Sequence, residues 1–192
     1  MNVPLLHFGS LSLAAGLALS GCVSQAPVAI APATLAASTS STAKPVKCKI
    51  AVRRITDERS APQLVGIVGG RSVPSPADVP AWLSSVLSRL SAHGIAADFS
   101  GAESAPGMTY NAALMSAWAS HVTTNLTAAV VLKMEAVDPD GKIVQRNYRG
   151  QAVRINWDSG DEGINKTIDE AFDEALAKMA PDILANCGAS GA

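Results

Sequence analysis

Charge is confined to one part of this chain, and that confinement limits what can fold. The first 43 residues hold no Lys, Arg, Asp or Glu; the 15 basic and 16 acidic residues all fall between Lys44 and Asp182. A polar surface and a water-excluding core can be built together only from about residue 44 onward. The length left over suits one ordinary domain and is too short for two.

Within that region the hydrophobic period switches repeatedly. Val46, Cys48, Ile50 and Val52 alternate with charged residues, which predicts a half-buried strand. LVGIVGG, residues 64–70, predicts a short strand or a glycine-rich loop; it lacks the G-x-G-x-x-G or G-K-[ST] continuation of a phosphate cradle, so nucleotide binding is not expected. Val79, Trp82, Leu83, Val86, Leu87 and Leu90 recur at helical spacing, with Asp78 placed to cap the helix and Gly94 to end it. IAADF, residues 95–99, predicts a strand. Tyr110, Leu114, Trp118 and Val122 recur every four residues and predict a second helix over 110–122.

Val130, Leu132 and Met134 alternate again, Asp138-Pro139-Asp140-Gly141 reads as a turn, and KIVQRNYRGQAVRINW as a long strand. Its apolar phase moves from even numbers at Val144 and Tyr148 to odd ones at Val153, Ile155 and Trp157, predicting a bulge near Gly150. Ser159-Gly160-Asp161-Glu162 resembles a capping box. The helix it opens has an apolar face of Ile164, Ile168, Ala171, Phe172, Ala175, Leu176, Met179 and Ile183, and Pro181 is expected to bend or end it near Cys187. The expected fold is α/β, a small mixed β-sheet with two or three helices packed on one face.

The uncharged leader has its own logic. Leu11 to Ser20 is apolar but shorter than the roughly 20 residues a membrane-spanning helix takes. It suits the apolar region of a secretory signal, although MNVPLLHF before it carries no Lys or Arg. It runs into Leu19-Ser20-Gly21-Cys22, which resembles the lipobox of bacterial lipoproteins. That resemblance implies a signal peptide over 1–21, cleavage before Cys22, diacylglycerol on its thiol and an acyl chain such as palmitate on the new amine. Several chains on one residue anchor stably where one alone binds marginally. Val23 after the cysteine implies sorting to the outer membrane, facing the periplasm. From Val23 to Ala43 the chain is an aperiodic mixture of Ala, Pro, Ser and Thr. Residues 22–43 are thus expected to be the lipidated cysteine and a disordered tether, and 44–188 a single α/β periplasmic domain.

With Cys22 lipidated, Cys48 and Cys187 remain. In an oxidising periplasm they close a disulfide over a loop of about 140 residues, for which chain entropy gives at most about 4–5 kcal/mol, or they stay as two separate buried thiols.

No catalytic set is visible. His7 lies in the leader, His93 at a helix end, and His121 stands alone. Asp169, Glu170, Asp173 and Glu174 fall opposite the last helix's apolar face and read as a solvated surface. Neither G-x-S-x-G nor H-E-x-x-H occurs, and no metal-type C-x-x-C. Catalytic residues, metal and cofactors are therefore expected to be none. Near-neutral charge and only three Trp, two Tyr and three Phe argue against nucleic acid. Six basic residues between Lys44 and Arg59 face eight acidic ones between Asp158 and Asp182, an asymmetry suited to steering a protein or peptidoglycan.

One stretch carries a family likeness. YRGQAVRINWDSGDEGINKTIDEAFDEAL, residues 148–176, is similar to the YajG-like family of bacterial lipoproteins in Tyr148, Gly150, Arg154, Asn156, Trp157, Gly160, Asp161, Ile164, Asn165 and Lys166. VRRITDERS and AWLSSVLSRLSAHGI resemble that family's front half, so the likeness covers roughly residues 46–180; Gly163 is an insertion against it. The family implies no activity and no catalytic residues. The expected function is an outer-membrane-anchored lipoprotein with a non-catalytic binding or adaptor domain. The alternative is an auxiliary component of an envelope lipid-transport or peptidoglycan-synthesis complex. Its partners are expected to be the membrane through Cys22, and an envelope protein or peptidoglycan. Arg154, Asn156 and Lys166 are the candidate partner surface; the competing reading makes this step a structural corner, with Trp157 under the helix and Asp161 or Ser159 capping it.

Overall fold

A computed structural model describes residues 26–30, 45–100, 109–138, 140–155 and 160–189. The elements in chain order are β1 (Cys48–Asp57), β2 (Leu64–Val68), β3 (Arg71–Pro74), α1 (Val79–Ser88), a 3-10 turn (Arg89–His93), β4 (Ile95–Asp98), β5 (Thr109–Val122), β6 (Asn125–Val137), β7 (Ile143–Ile155) and α2 (Asp161–Ala189). The strands form one mixed seven-stranded sheet, and both helices pack on the same face of it.

β5 is the spine of the sheet. One of its edges pairs antiparallel with β6, which pairs antiparallel with β7. The other edge is shared: β1 runs parallel to the first half of β5, and β2 parallel to its second half. β4 extends the sheet beyond β1, and β3 extends it beyond β2. The loop between β1 and β2 is fastened by the buried Arg59. Its guanidinium donates to both Asp57 carboxylate oxygens at 2.7 Å, to Ser75 Oγ at 2.6 Å and to the carbonyls of Pro62 and Leu64. Fan-shaped donation of this kind suits a buried arginine, whose donors point in fixed directions.

Where hydrophobic period and capping agree, expectation and structure coincide. Asp78 Oδ1 accepts from the Ala81 N–H at 2.8 Å, and Gly94 takes φ +80° to end the 3-10 turn. The α1 stripe and the eight-residue α2 face are buried throughout, and Trp82 meets Phe172 edge-on with centroids 5.1 Å apart. The Asp138–Gly141 turn closes through the Gly141 N–H to the Asp138 carbonyl at 3.0 Å. The structure joins Cys48 and Cys187, whose Cα atoms are 6.0 Å apart, tying the first strand to the last turns of α2.

Several expectations are corrected. Residues 110–122 form strand β5, not a helix. A spacing of four is an even number, so Tyr110–Leu114 and Trp118–Val122 each fit the strand period of two as readily as the helical one, and a bulge between Leu114 and Ser116 turns the second pair to the opposite face of the sheet. LVGIVGG takes the strand alternative, as β2 with the turn into β3. β7 has no bulge near Gly150: its register with β6 is unbroken from Asn125↔Ile155 to Val137↔Ile143. Gly150 is small because α2 crosses it; an added Cβ would overlap the Ala171 carbonyl and stand 2.7 Å from the Ala175 nitrogen. Ala117, Ala119 and Ala128 on neighbouring strands are buried on the same face. The odd-numbered Val153 and Ile155 consequently point away from the helices and are exposed. Helix α2 runs through Pro181 to Ala189.

The acidic run on α2 is only partly a solvated face. Asp169 and Asp173 pair with Arg89, and Glu170 with Arg154. Glu174 accepts the Gln151 N–H while Lys178 donates to the Arg149 carbonyl at 2.9 Å. Those are backbone groups of β7, an edge strand of the sheet, so α2 side chains occupy part of an edge that would otherwise offer itself for pairing.

The segment expected to be a tether is also corrected where it is described. Val28 is fully buried, and Ile30 packs against the core. The Val28 N–H donates to the Ser72 carbonyl at 3.0 Å, Arg71 Nε to the Ala26 carbonyl at 3.0 Å, and Asn165 Nδ2 to the Ala29 carbonyl at 3.0 Å. Asp161 completes the clamp: it accepts the Ala29 N–H at 3.3 Å and pairs with Arg71 at 2.7 Å. Asp161 thus fastens this segment at the start of α2; the capping box's Ser159 lies outside the described residues. Residues 22–25 and 31–43 of the expected tether lie outside them too.

Candidate functional site

With both helices on one side, the other side of the sheet is open among the described residues. It divides along its length. One end carries the β2–β3 and β5–β6 turns, the end of β7 and the start of α2. Here the cross-strand rows are Val122–Asn125–Ile155, then Ile67–Ser120–Thr127–Val153, then Trp118–Ala129–Gln151. No row contains a charge until Arg149, opposite Val131. Ile67, Trp118, Val122, Val153 and Ile155 are between 41% and 68% exposed, which marks this end as an apolar surface facing solvent.

The opposite half of the face is charged. Lys133 Nζ donates to Glu58 Oε2 at 2.7 Å and lies 3.5 Å from Glu135; Thr56 Oγ1 donates to Glu58 Oε1 at 3.3 Å. Lys133 holds the Glu58 carboxyl below the usual carboxylate range, and Glu58 raises the Lys133 ammonium. With Arg54 and Asn111 these groups line a shallow depression.

A second depression lies on the helix side, where β6 and β7 meet the far end of α2. Tyr148 Oη donates to Asp182 Oδ2 at 2.8 Å, Arg146 pairs with the same oxygen at 2.6 Å, and Asn186 Nδ2 donates to Tyr110 Oη at 3.3 Å. Burial and the Asp182 carboxylate push the Tyr148 phenol well up, and its hydrogen bond with Arg146's help holds Asp182 down. Tyr148 is thus a protonated donor that clasps strand β7 to helix α2.

The sequence-derived site residues are dispersed. Cys22 and Asn156 lie outside the described residues, as does Trp157. Arg154 sits on the helix side of β7, paired with Glu170, and Lys166 is exposed on α2, so the two do not share the open face. His93 closes the 3-10 turn, and His121 lies at the turn end of β5 on the helix side. No group of three or more His, Cys, Asp or Glu is placed to hold a metal among the described residues, and none of their helices is long and apolar enough to cross a membrane. The surface that sequence reasoning missed is the open face itself. Parity could not reveal it, because Trp118 and Val122 share the even parity of the buried Tyr110 and Leu114, and only the bulge between Leu114 and Ser116 turns them to the open face.

No family model matches the chain, and no curated protein does. Among solved structures it is similar to a Xanthomonas campestris protein of the family DUF330, at 13% identity and TM-score 0.43 over 87% of this chain and 95% of that one. It is also similar to a minor lipoprotein from Acinetobacter baumannii, at 12% identity and TM-score 0.39 over 70% of this chain and 94% of the other. A lipoprotein from Neisseria meningitidis matches at 12% identity and TM-score 0.34, over 68% and 98%. At these levels the likenesses assign neither family nor activity.

Proposed function

We propose that this chain is an envelope lipoprotein of YajG-like kinship, anchored at Cys22 in the outer membrane and facing the periplasm. Its domain is a non-catalytic adaptor that presents the charged half of the open sheet face to an envelope protein. The single observation supporting an adaptor is the one-sided sheet: two helices supply the core from one face, which frees the other for contact. The charged half of that face, with Arg54, Glu58, Lys133 and Glu135, offers the polar complementarity that orients a protein partner.

The test is crosslinking in intact cells from a photoreactive residue at Asn147, beside Lys133 on the open face, with Lys166 on α2 as the comparison. Capture of one protein from 147 and not from 166 supports the reading. Capture from 166 alone, or of peptidoglycan fragments alone, overturns it. Anchoring is tested separately: Cys22→Ser should abolish acylation by mass spectrometry and release the protein from the membrane fraction. Wild-type protein without acyl mass refutes the anchor.

A further inference from the structure

The clamp on residues 26–30 changes what an anchor at Cys22 does, and this inference rests on that anchor. An undocked tether would let the domain roam. The docked segment leaves only four residue steps between Cys22 and Ala26. At no more than about 3.6 Å per residue, the lipidated residue lies within about 14 Å of Ala26. Ala26 is held by Arg71, at the start of β3 and therefore at the turn end of the sheet. The leaflet holding Cys22 is therefore within about 14 Å of that end.

The same end carries the apolar surface. Ser72, whose carbonyl receives the Val28 N–H, pairs with Ile67, which begins the row Ile67–Ser120–Thr127–Val153. Strands lie about 4.8 Å apart, so Val153 is roughly 19 Å from Ser72 across the sheet. We propose that the turn end of the open face rests on the leaflet that holds the anchor, with Trp118, Val122, Val153 and Ile155 in the lipid interface.

Chemistry supports this occupant. Charged side chains are costly in lipid, and among the described residues the rows of this face carry none until Arg149, whose long stem can keep its guanidinium in the headgroup region. Tryptophan is favoured at that boundary because its ring is apolar and its N–H polar. The Lys133–Glu58–Glu135 group lies farther along the sheet, on the water side. A second copy must be met by diffusion, whereas a leaflet about 14 Å away is always in reach.

The experiment places an environment-sensitive fluorophore at Val153→Cys or Asn147→Cys in the full lipidated protein, with Cys48 and Cys187 kept oxidised. The two positions share a face and strand and are about 20 Å apart. In phosphatidylethanolamine–phosphatidylglycerol vesicles, label 153 should shift to the blue and be quenched by brominated acyl chains, and label 147 should do neither. Native tryptophan emission should show a bromine-quenched fraction that Trp118→Phe removes. These signals should persist when vesicles are diluted to single copies. A signal that disappears on dilution assigns the face to a second copy and overturns the proposal. A water-exposed label 153 on acylated, vesicle-bound protein also overturns it while leaving the anchor intact. Protein lacking acyl mass overturns both.

Discussion

Val28→Asp separates a docked segment from a passive tether. Val28 is completely buried, and removing a valine's contribution costs about 1.5–3 kcal/mol. An unpaired carboxylate is too costly to bury there, so the segment should leave its groove instead. Undocking caps the loss: the domain can forfeit no more than residues 26–30 contributed, because β3, α2 and the disulfide remain. The segment's hydrogen bonds and Ile30 packing are offset by the entropy its five residues regain on release, so we expect a drop of about 3 kcal/mol, which for a domain of this size lowers Tm by roughly 10 °C. The assay is hydrogen exchange by mass spectrometry. Wild-type amides of Val28 and Ala29, which donate to Ser72 and Asp161, should be protected; in the variant they should exchange freely while β5 and β6 keep their protection. Release also lengthens the free chain from Cys22 to about residue 45, on the order of 80 Å when extended, so the label at 153 should lose its contact with lipid. Unprotected amides at 28 and 29 in the wild-type protein would refute the docking. Global unfolding of the variant would refute the claim that the segment is dispensable for the fold.

Gly150→Ala should destabilise the domain by about 1–3 kcal/mol in urea denaturation, because its methyl would meet the Ala171 carbonyl across the sheet–helix contact; an unchanged midpoint would mean α2 lies farther out. Reducing Cys48–Cys187 should lower stability by up to about 4–5 kcal/mol, and native oxidised protein should resist alkylation at both residues. Asp57, held below the usual carboxylate range by Arg59, contributes stability above its unfolded pKa of about 4 that is lost as pH falls through its lower folded value. Asp57→Asn should cost about 3 kcal/mol at neutral pH by leaving the buried Arg59 without its counter-charge, and should flatten the acid limb of the stability profile.

Much of the fold is legible in local pattern. Asp78 caps α1 and Gly94 ends the 3-10 turn that continues it, with a buried stripe at helical spacing between them, and the long α2 face does the same over eight positions. Alternation marks β1 and β6, and the Asp-Pro-Asp-Gly tetrad marks the turn between β6 and β7. In each case the residues that choose the conformation lie within a few positions of one another, so the chain carries the information locally. The Cys48–Cys187 pairing stayed open in sequence because two cysteines count alike whether bridged or separately buried.

Three features escaped local reading, each for a nonlocal reason. β5 resembles a helix because a four-residue spacing fits both periods locally; only β1, β2 and β6 pairing along its edges decides for strand, and the bulge after Leu114 decides that Trp118 and Val122 leave the face of Tyr110 and Leu114. Gly150 resembles a break in β7, but its smallness answers to α2, more than twenty residues later. Val28 sits in a stretch without period, and its burial depends on Ser72 and Asp161, which are brought to it by the sheet and the start of α2. The open face follows from the same cause. The sequence by itself determined an uncharged leader ending in a lipobox-like cysteine and the individual helices and turns. Tertiary structure alone decided which face stays uncovered, because that face is assembled from strands distant in sequence, and burial is a property of what packs across them.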